Sequence, residues 1–92
     1  MRYVRNRRDG NHADIVAALE AAGIRVVDLS DAGGGVPDIA ALLPDGRWIW
    51  LELKTRKGTL RESQERFQER FPVVVARTVS EALAACGVRV AT

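Results

Sequence analysis

The chain has 92 residues, enough for one domain near the lower size at which a single apolar core holds without staples. Its hydrophobic content of 47% is ordinary for a globular protein, and no apolar run approaches the roughly 20 residues that span a bilayer. With one cysteine, Cys86, and one histidine, His12, the sequence excludes internal disulfides, cysteine zinc clusters, histidine-dependent triads and His-based metal sites.

The net charge of +2 is slight, so the basic residues matter by position. Arg2, Arg5, Arg7 and Arg8 precede the first acid and make residues 1–10 a basic arm; Lys54, Arg56, Lys57 and Arg61 run without an acid among them. Such clusters solvate a surface or, beside an acidic site, meet a phosphate backbone. The arm lacks the apolar run of a signal peptide, so a soluble cytoplasmic protein is expected, with oligomerisation as a source of added stability.

Asn11 is placed to cap a helix over 12–22, with Ile15, Val16, Leu19 and Ala22 on one face and Gly23 as its stop. Residues 24–29 read as a strand. Gly33, Gly34 and Gly35 mark a loop needing unusual backbone angles, without the spacing of a nucleotide-binding fingerprint. Residues 38–43 and 48–54 are two strands joined by a turn at Pro44, Asp45 and Gly46, which suits a type I turn closed by a glycine bulge. Thr59 and Glu62 are spaced as a capping box for a helix over 60–71. An apolar strand follows over 73–76, and Thr78 with Glu81 opens a last helix ending before Gly87. A short final strand is expected around 88–90. Cys86, in an alanine-rich helical stretch, reads as a buried structural thiol.

The turn carries a geometric consequence. A three-residue loop pairs Leu43 with Arg47 and so sets Asp38 opposite Glu52, on one face and about 5 Å apart at Cβ. A loop one residue shorter or longer would send the two acids to different faces. Opposed carboxylates repel unless a proton or cation lies between them, and a hard divalent ion such as magnesium is the natural occupant. Strand alternation puts Lys54 beside Glu52, while Ile49, Leu51 and Leu53 point into the core. An ammonium there can orient a metal-bound water and stabilise charge building on a phosphate.

These residues resemble a known signature. Gly35-Val36-Pro37-Asp38, followed after the hairpin by Glu52-Leu53-Lys54, is similar to the motif of the PD-(D/E)XK nuclease superfamily. Within it the chain looks most like the VRR-NUC group, including small stand-alone phage nucleases, and the related Holliday-junction resolvases. Supporting matches are Asn11 to Ile15, Val27 to Ser30 and Leu60 to Gln64, so the resemblance spans nearly the whole chain.

The resemblance implies one α/β domain over 1–92 of restriction-endonuclease-like fold, an αβββαβ core with a mixed central sheet flanked by helices. It implies Asp38 and Glu52 as metal ligands, with the Leu53 carbonyl as a third, and Lys54 as the catalytic lysine. Asp14 stands where relatives carry a first-helix glutamate; it is one methylene shorter, which leaves direct or water-mediated metal contact open, as well as a plain role at the helix N-terminus. Gln64 would reach the site from the following helix, or make a structural hydrogen bond. Ser30 resembles a serine of some resolvases. Arg56, Lys57, Ser30, Arg7 and Arg8 are the candidate DNA contacts. Trp48 and Trp50, on the Glu52 face, serve core or dimer packing or base stacking. The activity implied is magnesium-dependent hydrolysis of DNA phosphodiesters, with manganese able to substitute and no organic cofactor. It would act on branched DNA or Holliday junctions, in a homodimer presenting two sites. The alternative is a non-cleaving nucleic-acid-binding or dimerisation module on the same fold.

Overall fold

The computed structural model describes residues 11–89. Seven elements follow in the expected order: α1 (His12–Ala21), β1 (Arg25–Asp28), β2 (Ile39–Leu42), β3 (Trp48–Leu53), α2 (Glu62–Arg70), β4 (Val73–Ala76) and α3 (Val79–Ala85). They build a mixed α/β structure around one four-stranded sheet of order β1-β2-β3-β4. The first three strands are antiparallel, and β4 lies parallel to β3 across the α2 crossover. No helix among the described residues is long and apolar enough to cross a membrane.

The β2–β3 hairpin turns as its residues dictate. Leu43 N–H donates to Arg47 O at 2.8 Å and Gly46 N–H to Leu43 O at 2.9 Å, with Gly46 at φ +92° where a side chain would be strained. The Asp45 carboxylate accepts from Arg47 N and Nε at 3.0 and 2.8 Å, and these contacts, the backbone one foremost, hold its pKa below the usual carboxylate value. The ladder then runs Leu42↔Trp48, Ala41↔Ile49, Ala40↔Trp50 and Ile39↔Leu51.

Alternation along these strands sorts the two faces of the sheet. Ile39, Ala41, Leu43, Leu51 and Leu53 are buried on one face with Ile15 and Leu19 of α1 and with Ala82 and Cys86 at α3. Each fully buried Ile or Leu contributes about 1.5–3 kcal/mol through its burial. Burial also pushes the Cys86 thiol above its ordinary pKa, in keeping with a structural residue. The opposite face carries Trp48, Trp50, Glu52 and Lys54. There α2 lies over β3, with the Phe67 ring edge-on to Trp50 at 5.4 Å.

Four local expectations are corrected. Asn11 makes no capping hydrogen bond to α1; its amide instead donates to Lys54 O at 3.1 Å and Arg77 O at 2.8 Å, tying the ends of β3 and β4 together. Helix α2 begins at Glu62 rather than 60, with Arg61 at the N-cap in place of Thr59. The Gln64 carboxamide oxygen satisfies Arg61 N–H at 2.8 Å, while the Arg61 guanidinium has no acceptor to complete a reciprocal pair. Thr78 does cap α3, accepting from Glu81 N at 3.0 Å, but the Glu81 carboxylate accepts from Arg77 N. Val88 and Arg89 are not in a strand, and Val90 lies outside the described residues.

Candidate active site

The expected register sets Asp38 opposite Glu52, one step beyond the Ile39↔Leu51 pair. Two hydrogen bonds fix Asp38 there: its carbonyl accepts from Leu29 N at 2.7 Å and its Oδ2 from Leu53 N at 2.8 Å. The same register places Pro37 opposite Leu53, and proline has no N–H to offer. The Leu53 carbonyl is thereby left without a ladder donor from Pro37, while the Leu53 N–H is taken by the Asp38 side chain.

Glu52 is only 2% exposed, an unusual place for a carboxylate. Its Oε2 accepts from Gln64 Nε2 at 2.8 Å and lies 3.8 Å from Lys54 Nζ, whose side chain is also largely buried. Gln64, itself buried, is thus engaged at both ends, holding Glu52 with its nitrogen and the α2 N-terminus with its oxygen. The structural hydrogen bond expected of Gln64 is thus present, and its partner is Glu52.

The glycine loop holds α2 in this position. Gly35 is buried at φ +84°, and a Cβ there would strike the Ser63 carbonyl, so only glycine lets the loop close against the first turn of α2. Asp38 and Gln64 therefore approach the same strand from two segments that touch at Gly35.

The other predicted residues fall elsewhere. Asp14 is exposed on α1, which packs on the opposite face of the sheet, and among the described residues no three His, Cys, Asp or Glu side chains converge as a metal-binding group. Ser30 N and Oγ donate to Asp28 Oδ1 at 2.9 and 2.6 Å. Asp28 pairs with Ile39 and so projects to the α1 face, where its Oδ2 lies 3.5 Å from the buried His12 ring. Arg56 and Lys57 are exposed in the turn directly after Lys54. Arg7 and Arg8 lie outside the described residues.

Arg77 carries a role that sequence reasoning missed. Its Nη1 donates to the carbonyls of Thr55, Arg56 and Gly58 at 2.8, 3.4 and 2.6 Å, so one guanidinium holds the whole turn that bears Arg56 and Lys57. A lone arginine between an apolar strand and a helix cap was the only hint available.

Two opposed carboxylates and a carbonyl without a ladder donor suit magnesium, which takes one or two protein carboxylates and keeps other positions for water and phosphate oxygens. The chain matches no protein-family model, and neither curated proteins nor solved structures give a significant match.

Proposed function

We propose that the protein is a metal-dependent DNA endonuclease of restriction-endonuclease-like fold, hydrolysing phosphodiesters at Asp38, Glu52 and Lys54. The observation that carries this reading is the buried Glu52, set across the hairpin from Asp38 and beside Lys54 Nζ at 3.8 Å. Asp38, Glu52 and the Leu53 carbonyl would hold magnesium, or manganese in its place, which supplies a polarised water and neutralises phosphate charge. Gln64 keeps the Glu52 carboxylate oriented. Lys54 places a positive charge where a non-bridging phosphate oxygen gains charge as water attacks phosphorus and the P–O bond to the leaving sugar oxygen breaks. Arg56 and Lys57, presented by the turn after Lys54, meet the flanking phosphates.

The sequence resemblance to VRR-NUC proteins and junction resolvases makes branched DNA the leading substrate, with two sites supplied by a homodimer. Trp48 and Val74 are each more than two-fifths exposed and offer apolar surface for such an assembly. A second reading, a module on this fold that binds nucleic acid or a partner copy without cutting, draws on the placement of Asp14, which is exposed and outside the carboxylate pair.

The deciding experiment is cleavage of a labelled four-way DNA junction, beside duplex and single-strand controls, in magnesium, manganese or EDTA. Metal-dependent cutting that disappears in Lys54→Ala and Glu52→Ala is the expected result. Equal cutting of all substrates would retain the nuclease and remove the junction preference, whereas tight binding without cleavage in any metal would favour the binding module.

A further inference from the structure

We infer that the groove between the glycine loop and the outer flank of α2 binds one unpaired nucleotide of the nucleic-acid strand, an inference that takes its ligand class from the nuclease reading. The groove has a volume of about 300 Å³ and is lined by Gly34, Ser63, Arg66, Phe67, Arg70 and Phe71. Helical spacing explains the set: residues 63, 66, 67 and 70 recur at three- and four-residue steps and share a flank of α2. That flank adjoins the one bearing Gln64, which reaches Glu52 at 2.8 Å, so the groove borders the carboxylate site along one helix.

Its chemistry fits a nucleotide on two counts. Arg66 and Arg70, one turn apart, offer paired guanidinium groups to a phosphate. Among the described residues Arg66 is engaged only in a solvent-exposed ion pair with Glu62 at 3.0 Å, which a phosphate displaces at little loss. The Arg70 guanidinium lies over the Phe71 ring, with Cζ 5.7 Å from its centroid, a contact that a base stacking on the ring would replace. Phe67 and Phe71 stand 4.6 Å apart, the first turned inward to Trp50 and the second 42% exposed, so a partly exposed aromatic ring lies beside the two cations. Aromatic rings next to arginine are the recurrent platform for single-stranded bases. On the loop side no atom lies within 4 Å of where a Cβ would stand at Gly34, which leaves room for a sugar-phosphate backbone. A base held in duplex is stacked on its neighbours and is not free to stack here, so the groove selects the unpaired nucleotides at a branch point or strand end.

The test is fluorescence anisotropy of a labelled 12-nucleotide oligo(dT), and of a blunt duplex of the same length, in EDTA across a salt series. Phe71→Leu keeps apolar bulk but removes the ring, and should weaken oligo(dT) binding roughly tenfold while changing duplex binding little. The Arg66→Gln/Arg70→Gln double variant should flatten the dependence of log K on log salt by about 1. These side chains are exposed, and circular dichroism melts of both variants should match wild type. Oligo(dT) binding by the folded variants with wild-type affinity and salt slope would overturn the groove, as would equal losses for oligo(dT) and duplex. Junction cleavage in magnesium is followed separately. Wild-type protein that binds through the groove and never cuts would overturn the nuclease reading alone. Cleavage with intact binding in both variants would overturn the groove alone.

Discussion

Gly35 shows how one residue can hold a site that it does not enter. At φ +84° any side chain is strained, by roughly 1–2 kcal/mol, and a Cβ directed at the Ser63 carbonyl adds an overpacking cost of about 1–3 kcal/mol. Gly35→Ala should therefore lower unfolding free energy by about 2–5 kcal/mol in urea titration; a loss under 1 kcal/mol would mean that the loop and α2 are not locked together. Gln64 makes a related case. Replacing it with Leu removes a hydrogen bond to a buried carboxylate, worth about 1.5–3 kcal/mol, and should slow cleavage by freeing Glu52 to turn. Cys86 gives a pH signature. Its folded pKa is raised by burial, so its stabilising contribution is complete below the unfolded value of 9.0 and is lost as pH rises through and beyond it. Cys86→Ala should flatten the fall in melting temperature on the alkaline side of pH 9.0, and an unchanged slope would assign that fall to other groups. The positive φ at Gly35 was readable in the sequence as a glycine run. Its neighbour across the fold was not, since nothing local marks Ser63 as the contact.

At the scale of elements, the hairpin was the most legible feature because every determinant of its register is local. Pro44, Asp45 and Gly46 specify the turn, the turn specifies the pairing, and the pairing decides which face each of Asp38, Glu52 and Lys54 occupies. The ends of the strands were less legible for the opposite reason. Asn11 reads locally as a helix cap, yet its amide goes to Lys54 and Arg77 carbonyls 43 and 66 residues away, a choice that only the folded sheet presents. Thr59 and Glu62 have capping-box spacing, but the chain reaches α2 with Gln64 already committed to Glu52, and the helix starts where that commitment allows. Arg77 belongs with these tertiary determinants, and it yields a prediction at this scale. The turn carrying Arg56 and Lys57 contains two trypsin sites, and three carbonyls donated to by one guanidinium hold it closed. Arg77→Gln should speed tryptic cutting after Arg56 and Lys57 while leaving the core transition in place, because proteolysis tracks local opening. Cutting at the wild-type rate would show that the turn is held by something else.

Across the whole molecule, stability and proposed activity pull in opposite directions at the same pair of side chains. Small domains have little stability to spare, and carboxylates set across a sheet, as the register sets Asp38 and Glu52, repel unless a cation lies between them. Lys54 offsets part of this repulsion at 3.8 Å from Glu52. Asp38→Asn separates the two demands. The amide oxygen can still accept from Leu53 N, so the strand end stays closed, while the charge is gone. In EDTA this variant should melt above wild type. In magnesium the order should reverse: an ion at ten times its Kd stabilises the native state by about 1.4 kcal/mol, and for a domain of this length that raises Tm by several degrees. The variant, having lost a ligand, should respond weakly or not at all. Calorimetric scans of the two proteins with and without magnesium read both effects. If Asp38→Asn melts below wild type in EDTA, the carboxylate pair is not repulsive and has a structural use. If magnesium leaves both melts unmoved, the pair is no metal site, and the case for hydrolysis at Glu52 and Lys54 falls with it.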